Sequence, residues 1–201
     1  MDLLALQRRV QARVSLPWFE IDPAWLKGQL EQGQPLLRFE EIPLDWTELR
    51  LMFRQTADIL LRYHGIEAAD HGSLQTIARA GKTLEPLVER WYKATQVPAW
   101  TAAHAGDASP RDELSSNAAA GNPLPVPVNP DTLAQVLALA MRPFLERCAE
   151  SIQQRLDLGA WAEPYCPVCG GEVEFAVITP GAERHLICSR CSARWRFDAI
   201  A

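Results

Sequence analysis

The sequence is short of positive charge. Lysine and arginine total 20 against 25 acidic residues, giving a formal net charge of -5. A nucleic-acid binder usually offers a basic face, and these totals give none. No apolar run reaches the roughly 18 residues that a membrane span requires. The start, Met1 to Arg9, lacks the basic-then-apolar order of a secretory signal, because Arg8 and Arg9 follow its short apolar run. These absences predict a cytoplasmic chain with no membrane partner. Also missing are a glycine-rich phosphate loop, a paired-carboxylate motif, a metal-hydrolase motif and any fixed-period repeat. The familiar signatures of enzyme chemistry are therefore absent, and the chain is expected not to be an enzyme.

What is present is a cysteine pattern. Four of the five cysteines form two C-x-x-C pairs, Cys166-Pro167-Val168-Cys169 and Cys188-Ser189-Arg190-Cys191, with eighteen residues between them. In a reducing compartment such pairs are metal or redox sites more often than structural disulfides. Each pair makes a tight knuckle that presents two sulfurs, and two knuckles complete a tetrahedral site. Four cysteines fill that shell and leave no position for a catalytic water, so one structural metal ion is expected. Zinc is the first expectation; iron in a rubredoxin-like site is the competitor, since the same ligands accept either. Gly170 and Gly171 follow the first pair, where positive φ would point amides at sulfur. Arg184, Arg190, Arg194 and Arg196 lie nearby and can offset the negative charge of a tetrathiolate.

The first 160 residues read as helices. Asp22-Pro23 is an N-cap with proline at the first helical position, and Gly33 ends that helix. Asp45-Trp46-Thr47-Glu48 has capping-box spacing. Leu49, Met52, Phe53, Thr56, Ile59, Leu60 and Tyr63 then recur at three and four, with Gly65 as the stop. Further helical stretches carry Leu74, Ile77 and Ala78, then Leu84, Leu87, Val88, Trp91 and Tyr92. Gly81 separates them, and Pro86 is expected in the first turn of the second. Residues 98–130 are proline-rich and read as a loop or linker, with a short helix at Ser109-Pro110. Asn129-Pro130-Asp131 opens the longest helix, expected to end before Gly159. Its stripe is Leu133, Leu137, Met141, Phe144, Cys148, Ile152 and Leu156, and Pro143 inside it should kink it.

After Trp161 the pattern alternates. Val173, Phe175 and Val177 are expected on one strand face, and Thr179-Pro180-Gly181 reads as a type II turn. A second strand follows at Leu186–Cys188, and Trp195 and Phe197 mark a third. The fold class is therefore α+β. An all-helical domain, 1–160, precedes a small rubredoxin-like or zinc-ribbon module of three strands, 161–201. That module is too small to hold a core without a staple, and the metal is the expected staple.

Other candidates carry blander readings. Cys148 sits on an apolar helical stripe and reads as a core thiol. His104, Asp107 and Ser109 crowd one loop, whereas triad members come from separate elements. His185 abuts the second knuckle, but four cysteines already complete the site. Trp18, Trp25, Trp46, Trp91 and Trp100 are expected in packing. The arginine run 184–196 reads as a solvated strand face.

The residues around the cysteines resemble the FdhE family, accessory proteins of formate dehydrogenase. The likeness lies in Cys166-Pro167-Val168-Cys169-Gly170-Gly171, then Gly181, Arg184, Leu186, Cys188-Ser189-Arg190-Cys191 and Trp195. Pro143 within a long helix, followed by Trp161, agrees, as does Pro35-Leu36-Leu37 ahead of an amphipathic helix. The resemblance implies a helical domain joined to rubredoxin-like ribbons. It also implies a cytoplasmic maturation factor that binds the formate dehydrogenase catalytic subunit, with metal at Cys166, Cys169, Cys188 and Cys191. Family members typically carry a second four-cysteine ribbon, and the chain is expected to be a short form with the first alone. The rival readings are a nucleic-acid-binding zinc ribbon using Arg190, Arg194 and Arg196, and a small iron redox protein.

Overall fold

The computed structural model describes residues 2–97 and 126–197. Most of the expected 98–130 loop lies outside them, as do Trp100, His104, Asp107, Ser109 and the short helix expected at Ser109-Pro110. The helices are α1 (Leu3–Gln11), α2 (Pro23–Glu31), α3 (Trp46–Arg62), α4 (Ala68–Arg79), α5 (Gly81–Ala94) and α6 (Pro130–Gln153), with one 3₁₀ turn at Phe39–Glu41. Three antiparallel strands follow: β1 (Val173–Ile178), β2 (Arg184–Cys188) and β3 (Arg194–Arg196), in the order β1-β2-β3. The architecture is α+β, a helical body followed by a small ribbon.

Local caps start the helices where the side chains dictate. Asp22 accepts from the Trp25 amide at 2.8 Å, and Asn129 accepts from Asp131 at 2.9 Å and Thr132 at 3.4 Å. Asp45 accepts from Thr47 and Glu48, but the capping box is only half made. Glu48 sends Oε1 to Arg13 instead, at 2.8 Å.

The end of α3 differs from expectation. Gly65 is not the left-handed residue; His64 is, at φ 57°. The Gly65 amide bonds Leu60 O at 2.8 Å and the His64 amide bonds Leu61 O at 3.1 Å, the paired bonds of a Schellman cap. Pro86 lies in the second turn of α5 rather than the first, because that helix begins at Gly81.

The α6 helix organises the body. It packs against α1, α3 and α5. That explains why burial spreads beyond the expected stripe to Val136, Ala140, Leu145 and Ala149. It ends at Gln153, before Gly159 as expected, and Leu156 of the expected stripe lies beyond it. Pro143 lies inside it and cannot donate to the carbonyl of Leu139. Gln7 of α1 supplies the missing donor, its Nε2 reaching Leu139 O at 3.1 Å. Farther along, Arg147 donates to Val14 O and Ser151 to Pro17 O, so α6 grips the chain leaving α1. At its other end Asp70 of α4 accepts from the Asn129 amide and the Thr132 hydroxyl.

Two details of the ribbon correct the expected pattern. A bulge between Val173 and Phe175 sets Val173 opposite Cys188 and Phe175 opposite Ile187, so these two do not share a face. Phe175 is 50% exposed. In the hairpin, positive φ falls on Ala182 (60°) and not on Gly181. Ala182 N bonds Thr179 O, and Thr179 N bonds Glu183 O. This is a three-residue loop closed by a left-handed residue, not a type II turn.

The αL conformation of His64 costs about 1 kcal/mol that glycine avoids. His64→Gly is therefore expected to raise Tm by about 2–4 °C, measured by thermal unfolding. An unchanged or lower Tm contradicts the cap.

Candidate metal centre

Each C-x-x-C pair folds the same way. In the first knuckle Gly170 N bonds Cys166 O at 2.9 Å and Cys166 N bonds Gly171 O at 2.9 Å. In the second, Ser192 N bonds Cys188 O at 3.2 Å and Cys188 N bonds Ala193 O at 3.0 Å. The residue after each pair takes positive φ: 70° at Gly170 and 56° at Ser192. Only the first is glycine, so the second knuckle carries backbone strain. Gly171 serves differently from the expectation. A Cβ there would meet Arg190 Cδ at 2.7 Å and Cys188 Sγ at 3.1 Å, so its value is close approach rather than positive φ.

The β1–β2 hairpin sets the knuckles face to face. The sulfurs of Cys166, Cys169, Cys188 and Cys191 all lie within 4.8 Å of one another, and all four residues are buried. Cys166 and Cys191 are 3.5 Å apart at sulfur, as are Cys169 and Cys188. A tetrahedral ion with metal–sulfur bonds of about 2.3 Å sets its sulfurs about 3.8 Å apart. The geometry fits one tetrahedrally bound ion. Such an ion would cross-link the two knuckles, and four thiolates would leave it no open position for water.

The electrostatics are uneven across the cluster. Burial pushes the Cys166 and Cys191 thiols well above their ordinary value. Burial also opposes ionisation of Cys169. Yet hydrogen bonds from Cys166, Cys188 and Cys191, with the charge of Arg190, hold its thiol well below the ordinary value. A divalent cation would draw all four to thiolate. Cys148 differs: it is fully buried on α6, burial pushes its thiol up to about 12, and it packs as a core residue. His185 is outside the cluster. Its Nε2 lies 3.4 Å from Glu183, and its buried Nδ1 has no hydrogen-bond partner.

Arg190 is the residue that sequence reasoning misread. It is not part of a solvated arginine face; it is 6% exposed. Its guanidinium lies 4.8 Å from the Trp91 ring centre and 4.5 Å from that of Tyr92. It donates to Thr95 O at 3.0 Å and Tyr92 O at 3.4 Å, the carbonyl end of α5. Its own amide points at Cys188 Sγ, 3.4 Å away. One buried cation thus faces both the cysteine cluster and a helix C-terminus. Its loss weakens the nucleic-acid rival, which also loses charge where Arg196 pairs with Glu183 at 3.6 Å.

The first knuckle is received by the helical body. Leu36 N bonds Pro167 O at 2.9 Å, Leu37 N bonds Val168 O at 2.8 Å, and Val97 N bonds Gly170 O at 2.8 Å. Tyr165 donates to Gly33 O, and Trp161 Nε1 donates to Tyr165 O. Tyr92, its phenol pushed far up by burial, donates to Leu37 O at 2.8 Å. The second knuckle meets α6 through side chains. Ser192 donates to Glu146 Oε1 at 2.7 Å, and Arg142 donates to Ser192 Oγ at 3.0 Å. Ser192 had a signal in the sequence: Cys169-Gly170-Gly171 and Cys191-Ser192-Ala193 are parallel runs of small residues.

No protein-family model matches this chain, and no curated protein matches it. Among solved structures it is similar to the crystal structure of the FdhE protein from Pseudomonas aeruginosa. That likeness has 21% sequence identity and a TM-score of 0.47, and takes in 98% of this chain and 58% of that one. The chain thus spans little more than half of that protein's length. No described helix is long and apolar enough to cross a membrane.

Of the tryptophans, Trp91 is buried as expected, and Trp25 and Trp46 are half-buried. Trp18 is 76% exposed, with Arg155 stacked 3.7 Å from its ring centre. It is not a core residue.

Arg190→Gln is expected to cost roughly 2–3 kcal/mol, the worth of lost charge-assisted bonds to two buried carbonyls, read from the urea midpoint. Arg190→Lys should not restore it, because an ammonium cannot span both carbonyls while stacking on two rings. A loss within about 0.5 kcal/mol, typical of surface sites, refutes the role.

Proposed function

We propose that this chain is a cytoplasmic accessory factor that binds the catalytic subunit of a formate dehydrogenase during its assembly or cofactor loading. Its four cysteines carry one structural metal ion, zinc before iron. One observation carries this reading. Several of the residues through which the sequence resembles FdhE proteins meet where the ribbon joins the helices. Pro35, Leu36 and Leu37 receive the first knuckle, and Pro35 sits where a Cβ on Gly170 would meet its Cγ at 2.8 Å. Gly171 makes room for Arg190, while Trp161 and Trp195 are buried. Residues far apart in sequence thus belong to one joint between ribbon and helices.

In this reading the metal's chemistry is mechanical. It cross-links the knuckles and contributes on the order of 10–16 kcal/mol of apparent binding energy to folding. Cys166, Cys169, Cys188 and Cys191 hold the ion, and Arg190 offsets their charge. Gly170 and Gly171 let the knuckle approach the body. The chain acts by binding, since a filled tetrathiolate supports no hydrolytic step.

Two results test the proposal. Affinity capture from the native host under reducing conditions should recover a formate dehydrogenase catalytic subunit, and repeated failure to recover one counts against it. Cys166→Ala should lose the metal, loosen both ribbon and body, and abolish that capture. A Cys166→Ala protein that stays folded and captures normally refutes the metal's structural role. Metal analysis with visible spectroscopy separates zinc from iron, because ferric thiolate is coloured.

A further inference from the structure

The two knuckles are held by different means. From the helical body the first receives three main-chain bonds, from Leu36, Leu37 and Val97, and a fourth from the Gln96 side chain to Cys169 O at 3.3 Å. Among the described residues the second receives no main-chain bond from that body. Its Cys188 side is anchored by Arg190. Its Cys191 side is latched by one hydroxyl, that of Ser192, which Glu146 and Arg142 hold; just past the knuckle Gln153 of α6 pairs with both the amide and the carbonyl of Arg194. Ser192 is also the strained member of the pair of αL residues, at φ 56°.

A cleft of about 490 Å³ opens beside this latch. It runs between the end of α1 and the last turns of α6, lined by Gln11, Glu146, Ala149, Glu150, Cys191 and Ser192 among others. Of the four cysteines, Cys191 alone lines it. The ligand held through the fewest bonds therefore borders the cleft, although all four cysteines are at most 1% exposed while the latch is closed.

We infer that this cleft is the route by which a divalent metal ion reaches and leaves the four-cysteine site, with the Ser192–Glu146 bond as its latch. The inference rests on the reading of the cluster as a metal centre. On opening, Cys191 would be the residue to give up a bound ion, its sulfur taking a proton from solvent. A water or the donor atom of a competing chelator fills the vacated position. Cys166, Cys169 and Cys188 would hold the ion until a chelator takes it. Glu146 and Glu150 line the way, each paired with an arginine, Arg142 and Arg147.

The test uses the full chain loaded with zinc. Transfer to the chromophoric chelator pyridylazoresorcinol is followed in time under reducing conditions. Ser192→Ala and Glu146→Ala should each speed release by roughly ten-fold, the kinetic worth of one charge-assisted bond. His64→Gly stabilises the body far from the site and should leave the rate unchanged. N-ethylmaleimide applied to the loaded protein, with peptide mapping by mass spectrometry, should modify Cys191 first. Wild-type release rates in both latch variants overturn the inference. So does slower release in His64→Gly, which would mean exchange through global unfolding. So does first modification at Cys166, Cys169 or Cys188. Cobalt substitution separates the two levels. Absence of thiolate-to-cobalt charge-transfer bands overturns the metal centre itself. Normal bands with unchanged release rates overturn the route alone.

Discussion

A buried guanidinium is the constraint on which the rest of this molecule depends. Arg190 leaves the second knuckle and donates to Tyr92 O; Tyr92 donates its hydroxyl to Leu37 O; Leu37 donates its amide to Val168 O in the first knuckle. The circuit closes across the sulfurs, where Cys169 lies 3.5 Å from Cys188. Each link satisfies a polar group that burial would otherwise leave expensive. The charge faces two groups that favour it, the carbonyl end of α5 and the Cys169 sulfur, whose ionisation it promotes. The ribbon is for this reason fixed to the helices rather than tethered beside them, and the buried cysteines belong to the same apolar cluster as the helical core.

Much of this was legible from local chemistry. Asp22, Asp45 and Asn129 are caps because their side chains reach amides two or three residues ahead, a distance the sequence states directly. The four-cysteine cluster was legible for a similar reason, since paired spacing and a hairpin suffice to converge the sulfurs. What the sequence hid were outcomes decided by tertiary partners. Glu48 abandons its capping box because Arg13 arrives from the turn that follows α1. Left-handed conformations fall on His64, Ala182 and Ser192, where the chain's path requires them, while Gly65 and Gly181 beside them go without. Arg190 shares its surroundings in sequence with Arg194 and Arg196, and nothing local says that it alone turns inward.

A binding role suits a molecule arranged in this way. The cysteine cluster is sealed from solvent, so its influence on any partner is transmitted through shape. What the surface offers instead is apolar and exposed: Phe175 and Ile178 on the ribbon hairpin, the latter 75% exposed, and Trp18 under Arg155. A metal ion held by the four cysteines would stabilise the frame that presents these groups. The asymmetry between a clamped knuckle and a latched one would let the same centre be durable and still exchangeable.

The pairing of Gln7 with the carbonyl that Pro143 strands has a consequence for how this fold can vary. The defect and its remedy lie 132 residues apart, counted from Gln7 to Leu139, on helices that meet only in the folded chain. Neither residue's worth is its own. In a background where position 143 carried an amide, Leu139 would find its partner within the helix, and position 7 would drift freely toward any side chain that fits. While proline remains, position 7 is constrained by a backbone feature that no inspection of α1 would reveal. The two sites should therefore be read as one inherited unit, and a change at either has a meaning only when the other is known.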